Sequence, residues 1–205
     1  MVMEINVREA FAGIPPIFVV GLVGVAVYLI VFLFFYATPV RSFLYLEFLF
    51  LPSMLVILGF VSKYDKGIFR KAALYFMIGL FWELLTESNW AYADKLVPMI
   101  YFYKDIPLAM LFYWVSTFSL GFLSYSRITR KFRINMLASQ IITIFTVFLV
   151  AESIGFNVLR IWAYNLDYTF LIPPFFLPPQ IYVGYLIFGN LFLIFMHKTQ
   201  KPCSN

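Results

Sequence analysis

The sequence predicts an all-α integral membrane protein with six transmembrane helices. Of its 205 residues, 63% are hydrophobic and 12% are charged, whereas a soluble domain is about half apolar and about a quarter charged. Its apolar runs are continuous rather than alternating, which excludes a transmembrane β-barrel. The same composition excludes a soluble enzyme, a nucleic-acid-binding protein and a disordered regulator, because the polar residues are too few to cover a globule in water.

Six apolar runs approach the length of about 20 residues that is needed to cross a bilayer. They lie at about 17–36, 43–61, 68–87, 106–125, 136–156 and 180–196. The first run is longer than the apolar core of a signal peptide, so we expect it to be retained as a span. The chain is therefore expected to form a single polytopic domain over 1–205, multi-pass in the cell membrane.

Basic residues indicate how these spans are oriented. With six spans, the N-terminus, the second loop, the fourth loop and the C-terminal tail share one side. That side carries eleven basic residues: Arg8, Lys63, Lys66, Arg70, Lys71, Arg127, Arg130, Lys131, Arg133, Lys198 and Lys201. The other side carries four: Arg41, Lys95, Lys104 and Arg160. The positive-inside rule then predicts that both termini are cytoplasmic.

Three glutamates inside predicted spans are the strongest functional candidates. Glu47, Glu83 and Glu152 lie at similar depth near the predicted outer face. An ionisable group in a span costs about 2.5–3.5 kcal/mol on insertion scales and marks a functional site by default. The alternative is that each glutamate pairs with a basic residue near the interface. Arg160, eight residues beyond Glu152 on nearly the same helical face, is the expected counter-charge for Glu152.

An internal repeat organises the second half of the chain. Trp90-Ala91-Tyr92 recurs as Trp162-Ala163-Tyr164, and Pro107 recurs as Pro179, both at an offset of 72 residues. Each copy contains a basic loop, a span with a glutamate near its outer end, Trp-Ala-Tyr, an outer loop, a proline and a return span. Spans 3–4 and 5–6 are therefore expected to be two parallel helical hairpins, the alternative being a chance recurrence.

The repeated elements also supply a candidate site. Glu83, Glu87, Trp90 and Asp94 have a spacing that predicts one face of a helix continuing past the membrane surface. The aromatic rings either anchor helix ends at headgroup level or wall a cavity for a cationic or polyene ligand. The apolar segment 172–179 contains too many prolines for a helix, and it is expected to be a lid or a stiff connector. We expect Glu83, Glu87 and Glu152 to face one cavity beneath it.

The stretch from Trp82 to Pro98, followed by Asp105-Ile106-Pro107-Leu108 and Trp114, resembles a known family. It is similar to the membrane-integral carotenoid biosynthesis proteins that include the bisanhydrobacterioruberin hydratases. The shared pattern is a glutamate at a span end, an aromatic turn with Leu-x-Pro, an Ile-Pro-Leu and a span containing tryptophan. A more distant similarity is to membrane lycopene and terpene cyclases. Both resemblances imply acid catalysis on a polyisoprenoid, by a hydratase, a cyclase or an isomerase.

This chemistry requires a carboxylic acid that stays neutral until it protonates a carbon–carbon double bond. Burial and a neighbouring carboxylate both favour the neutral form, which makes Glu83 and Glu87, one turn apart, the expected acid. The expected catalytic residues are Glu83, Glu87 and Glu152. The expected substrate-binding residues are Trp90, Tyr92, Asp94, Asp105, Trp162, Tyr164 and Arg160.

Residue content limits the cofactors and leaves two other functions open. The single histidine, His197, excludes a multi-histidine metal centre, and Cys203 alone cannot form an intramolecular disulfide. We therefore expect no metal and no cofactor. The expected partner is a membrane lipid or isoprenoid ligand and not a nucleic acid, and a homo-oligomer or a membrane-complex partner is compatible. The alternatives are a non-catalytic accessory subunit of a larger membrane complex and a small carrier or permease.

Overall fold

The computed structural model describes residues 15–36, 45–86, 90–92, 100–103, 106–159, 161–165 and 170–199, with backbone alone at 31–36, 90 and 92. These residues are 79% helical, which confirms the all-α class. The helices are α1 (Pro16–Tyr36), α2 (Leu46–Ser62), α3 (Ile68–Thr86), α4 (Leu108–Phe132), α5 (Met136–Val158) and α6 (Pro179–Thr199). Each described helix overlaps one predicted run.

Three helices, α4, α5 and α6, are long and apolar enough to cross a membrane, which supports the prediction of a membrane protein. The apolar stretches of Pro16–Ile30 in α1 and Leu46–Ser62 in α2 are shorter. Helix α3 carries Arg70, Lys71 and Glu83 within its 19 residues. That all six helices cross the membrane stays a prediction.

Helix α4 is central, because it packs against α2, α3, α5 and α6. Close approach depends on a glycine where α3 meets α4, since a Cβ on Gly79 would lie 2.6 Å from Trp114 Cβ. Helix α4 also runs past the predicted end at residue 125, to Phe132. The sequence underestimated its length because Arg127, Arg130 and Lys131 end the apolar run without ending the helix.

Two π-helical turns, Ile144–Phe148 and Ile154–Val158, interrupt α5 on either side of Glu152. Turns of this kind occur mostly as single insertions in α-helices and frequently at functional sites. The second one lies where the spacing from glutamate to tryptophan differs between the two Trp-Ala-Tyr segments. Glu152 precedes Trp162 by ten residues, whereas Glu83 precedes Trp90 by seven.

The two Trp-Ala-Tyr copies pair with each other at one end of the helices. Strands β1 (Trp90–Tyr92) and β4 (Trp162–Tyr164) form an antiparallel ribbon in which Ala91 lies opposite Ala163. A second ribbon joins β2 (Tyr101–Tyr103) to β3 (Ile106–Pro107). The expectation that α3 continues as a helix through Trp90 was therefore wrong. Beyond Thr86, pairing with the other copy satisfies backbone groups that a helix would otherwise satisfy internally.

The proline-rich segment is not helical, as predicted, and it folds into a closed turn. Ile172 forms an antiparallel bridge with Leu177, and the Pro173–Pro174 peptide bond is cis. The Phe175 carbonyl accepts hydrogen bonds from Ser153 Oγ and from Asn157 Nδ2, both at 2.9 Å. These bonds fix the turn to the last part of α5.

Basic residues lie close together at the end of the helices opposite the β1–β4 ribbon, where loops contact helix ends. The Arg127 guanidinium carbon lies 3.8 Å from the Tyr64 ring centroid, which joins the 63–67 loop to α4. Tyr125 and His197 are joined by a hydrogen bond of 3.3 Å between the Tyr125 hydroxyl and His197 Nδ1, which joins α4 to α6. The basic helix ends of the described molecule thus lie at one end, and the β1–β4 ribbon lies at the other.

Candidate functional site

Glu152 lies at the centre of a cluster of aromatic hydrogen-bond donors. Its side chain is 2% exposed. Oε1 accepts from Trp162 Nε1 at 2.9 Å and from the Tyr164 hydroxyl. Oε2 accepts from the Tyr185 hydroxyl at 2.6 Å and from the Tyr113 hydroxyl at 3.5 Å. An ionised carboxylate offers about four acceptor sites, so these four neutral donors are sufficient to satisfy it.

Three elements bring these donors to Glu152, which lies on α5. Tyr113 lies in the second turn of α4, Tyr185 in the second turn of α6, and the other two donors lie on β4. The Trp162 indole packs directly against α5, where a Cβ on Gly155 would lie 2.1 Å from Trp162 Cη2. Glycine is therefore needed at position 155 for the indole to reach Glu152.

Tyr164 lies on the ribbon, outside the helices, and donates to the same carboxylate. Burial raises the pKa of its phenol far above the usual value, and the charge of Glu152 raises that pKa further. The phenol therefore keeps its proton and remains a hydrogen-bond donor at any physiological pH.

Glu83, on α3, has a different hydrogen-bond donor on α4. It is 3% exposed, and its Oε1 accepts from Trp114 Nε1 at 2.6 Å. Trp114 follows Tyr113 in sequence, and the two rings meet edge to face with centroids 5.4 Å apart. Two buried carboxylates are therefore bound by adjacent residues of α4.

The third buried glutamate holds a loop. Glu47, 5% exposed, accepts from the Ile100 backbone N–H at 3.0 Å. The described contacts thus give Glu47, Glu83 and Glu152 different hydrogen-bond donors, and that Glu83, Glu87 and Glu152 face one cavity stays a prediction. Each carboxylate takes the donors that its own neighbouring elements present.

A cavity of about 620 Å³ lies between α2, α4 and α5. Most of its wall is apolar, with hydroxyl groups from Ser53, Ser116, Thr117, Ser124 and Thr146. Tyr113 and Trp162 also line it, and both donate to Glu152. These two rings therefore lie between the cavity and the buried carboxylate, which is not itself among the lining residues.

The structure brings together three of the residues expected from the sequence, namely Glu152, Trp162 and Tyr164. Strand β1 places the backbone of Trp90 and Tyr92 beside β4. The side chains of these two residues lie outside the described part of the structure. Glu87, Asp94, Asp105 and Arg160 also lie outside the described residues. The expected Glu83–Glu87 and Glu152–Arg160 pairs therefore stay predictions.

Two donors, Tyr113 and Tyr185, were missed in the sequence. They are separated by 72 residues, the offset of the Trp-Ala-Tyr copies, and each follows a repeated proline by six positions. An alignment of the two Trp-Ala-Tyr segments that continues past Pro107 and Pro179 identifies both tyrosines. Trp114 contributed to the family resemblance, but its contact with Glu83 was not foreseen.

Within the described ranges, no group of three or more His, Cys, Asp or Glu side chains could hold a metal ion. Comparison of the chain with protein-family models, with curated proteins and with solved structures finds no match. The geometry of the cavity and of the Glu152 cluster is therefore the basis for a function.

Proposed function

We propose that the protein is a membrane-embedded enzyme of isoprenoid or carotenoid metabolism, acting on a polyene by carboxylate acid catalysis. One observation carries the proposal. Tyr113 and Trp162 line an apolar cavity on one side and donate to the buried Glu152 on the other. A ligand in the cavity would contact aromatic rings that are directly hydrogen-bonded to a proton-carrying group.

The cavity suits a long apolar ligand. Its volume of about 620 Å³ lies within the range of about 300–1,000 Å³ that is usual for small-molecule sites. The faces of Tyr113 and Trp162 are able to stabilise a carbocation through their π electrons. An unsaturated isoprenoid fits both properties, and it is the substrate class that the family resemblance implies.

Proton delivery would run from Glu152 through Tyr113. The Tyr113 contact, at 3.5 Å, is the longest of the four, so it is the one that a protonated Glu152 could reverse by donating to the phenol oxygen. As that proton arrives, the phenol passes its own proton to a substrate carbon. The π-electron pair of the double bond forms the new C–H bond, which leaves a carbocation on the substrate and a carboxylate on Glu152.

The fate of the carbocation sets the reaction. Addition of water, with loss of a proton to Glu152, gives a hydratase. Loss of a proton from the adjacent carbon to Glu152 gives an isomerase. Attack by a second double bond, followed by the same proton loss, gives a cyclase. In each case the proton returns to the carboxylate through Tyr113, which takes the substrate proton as it gives its own to Glu152, and the enzyme is regenerated.

Glu152 takes the role of acid that the sequence predicted for Glu83 or Glu87. Glu152 is preferred because two of its donors line the cavity. Trp114, the described donor to Glu83, does not line it. Glu83 then serves to hold Trp114, and with it the start of α4.

The proposal includes six crossing helices, a parallel repeat of the hairpins α3–α4 and α5–α6, and cytoplasmic termini. Residues separated by the 72-residue offset meet each other at three levels: Ala91 with Ala163, Tyr113 with Tyr185 at Glu152, and Tyr125 with His197. Residues related by a twofold axis touch only where they lie close to that axis. Two such meetings between α4 and α6, and a third on the β1–β4 ribbon, support an axis that passes between these elements.

Transfer of deuterium from solvent to a bound isoprenoid tests the enzyme. The protein is purified gently, its lipids are identified by mass spectrometry, and the bound isoprenoid is followed in D2O. We expect wild type to carry an isoprenoid and to incorporate deuterium. Glu152→Gln should retain the ligand and lose incorporation by about 10²–10⁴-fold, the usual contribution of a general acid. Glu47→Gln, at a buried glutamate that does not line the cavity, is the matched control, and its deuterium incorporation should equal that of wild type.

Other outcomes support the alternatives. Absence of isoprenoid together with stoichiometric co-purifying proteins would favour the accessory subunit. Bound isoprenoid that takes up no deuterium in wild type would favour a carrier. Equal incorporation by wild type and Glu152→Gln would exclude Glu152 as the acid.

A further inference from the structure

A second cavity, of about 560 Å³, lies at the basic end of the molecule. It is bounded by the 63–67 loop, the start of α3 and the last part of α4. Four basic residues line it, namely Arg70, Lys71, Arg127 and Arg130, against one acidic residue, Asp65. It is thus separate in position and in chemistry from the cavity beside Glu152.

The one acidic residue that lines this cavity, Asp65, already has bonding partners. Asp65 Oδ2 pairs with Lys71 Nζ at 2.5 Å, and Asp65 Oδ1 accepts from the Gly67 backbone N–H at 2.9 Å. Among the residues that the structure describes, no carboxylate or other hydrogen-bond acceptor contacts Arg70 or Arg130. Two guanidinium groups therefore remain available to an anion.

Two aromatic residues shape the cavity further. The Arg127 guanidinium stacks on the Tyr64 ring at 3.8 Å, which restricts its orientation while leaving its N–H groups available at the edge. Tyr75, two turns into α3, lines the cavity and is 0% exposed. Within the described part of the chain, its buried hydroxyl has no hydrogen-bond partner. A buried donor without a partner is costly, and a rotation of the Tyr75 side chain toward an anionic oxygen in the cavity would satisfy it.

We propose that this cavity binds a phosphoryl group, carried by a membrane lipid or present as a soluble phosphate. Guanidinium groups bind phosphate through paired N–H···O bonds, with planar geometry that lysine cannot supply. Three arginines and a phenol offer more donors than a carboxylate could use, and they match the several oxygens of a phosphate. The position of the cavity at a basic helix end places this site at membrane-headgroup level.

Native mass spectrometry of the full-length protein in a neutral detergent, titrated with phosphatidic acid, tests the proposal. The double variant Arg70→Gln and Arg130→Gln should bind the lipid at least about tenfold more weakly, since each hydrogen bond to a charged group is worth that much. The matched control is Lys66→Gln with Lys131→Gln. It removes the same charge at the same helix ends, from residues that do not line the cavity, and its binding should change by less than about twofold, because exposed charges contribute little.

Two further measurements test the role of Tyr75 and the source of the phosphoryl group. Tyr75→Phe should weaken phosphatidic acid binding and leave the melting temperature of the lipid-free protein unchanged or higher, because its hydroxyl is unpartnered. Competition by inorganic phosphate would identify a soluble phosphate as the ligand, and failure to compete would identify the lipid headgroup. Equal losses of lipid binding in the two double variants would show that the lipid is attracted by diffuse surface charge, and would overturn the site. Unchanged lipid binding in both double variants would overturn it as well.

Discussion

Tyr113 and Tyr185, 72 residues apart, donate their hydroxyl hydrogens to the same oxygen of Glu152. Each lies in the second turn of its helix, and α4 begins directly after Pro107 whereas α6 begins at Pro179. Two equivalent residues therefore meet at one buried carboxylate, and the two contacts differ in length, 2.6 Å for Tyr185 and 3.5 Å for Tyr113. This difference suggests separate roles, one structural and one catalytic.

Tyr185→Phe should destabilise the protein, because it removes a short hydrogen bond to a buried carboxylate. A buried acceptor left without its donor costs about 1–3 kcal/mol, so the free energy of unfolding should fall by that amount. Tyr113→Phe, which removes the long contact, should cost less stability and lose proton transfer to the ligand. Unfolding is followed by tryptophan fluorescence in detergent. Tyr101→Phe, at an exposed ring, is the control, and a larger loss of stability in Tyr113→Phe than in Tyr185→Phe would contradict the assignment.

Gly155→Ala should displace the Trp162 indole, since the new Cβ would lie 2.1 Å from it. Forcing extra volume into a packed site costs about 1–3 kcal/mol, and here the hydrogen bond to Glu152 is lost as well. The melting temperature reports the change. Gly184→Ala is the matched control in α6, where nothing lies within 4 Å of the added Cβ. It should be neutral or stabilise by up to about 1 kcal/mol through helix propensity.

Ala91→Cys with Ala163→Cys should form a disulfide under mild oxidation. Residues directly opposite in an antiparallel pair have Cα atoms about 4.5–5.5 Å apart, within the range for a disulfide, and both alanines are exposed. The experiment is done in a Cys203→Ser background and read as a mobility shift on a non-reducing gel. Ala91→Cys with Asn165→Cys is two positions out of register and should cross-link more slowly. Equal rates would contradict the ribbon register.

Cys203 should react with a membrane-impermeant thiol reagent in inverted vesicles and not in intact cells. The expected orientation follows from eleven basic residues on one side against four on the other. Ala91→Cys in the Cys203→Ser background should show the opposite behaviour, because the ribbon lies at the other end of the described helices. Labelling of wild type in intact cells would reverse the proposed topology.

The sequence predicted the helix positions well, because an apolar run of sufficient length has few alternatives to a buried helix. It also identified Glu83 and Glu152, since a carboxylate in such a run is conspicuous. It did not predict that Trp90 lies in a strand. The spacing from Glu83 to Trp90 fits a helical face, but strand pairing between distant copies of Trp-Ala-Tyr overrides that local pattern.

Composition and linear pattern by themselves determined the all-α class, the apolar runs of membrane-spanning length and the recurrence of Trp-Ala-Tyr at an offset of 72 residues. Each of these depends on the transfer of side chains between water and an apolar phase, or on residue spacing, and both are properties of the chain. The tertiary structure alone decided that Glu152 meets Tyr113 and Tyr185, that Glu83 meets Trp114, and that Arg70 and Arg130 face one cavity with Tyr75. Hydrogen bonds require contact within about 3.5 Å, and only the packing of helices distant in sequence brings these donors and acceptors so close.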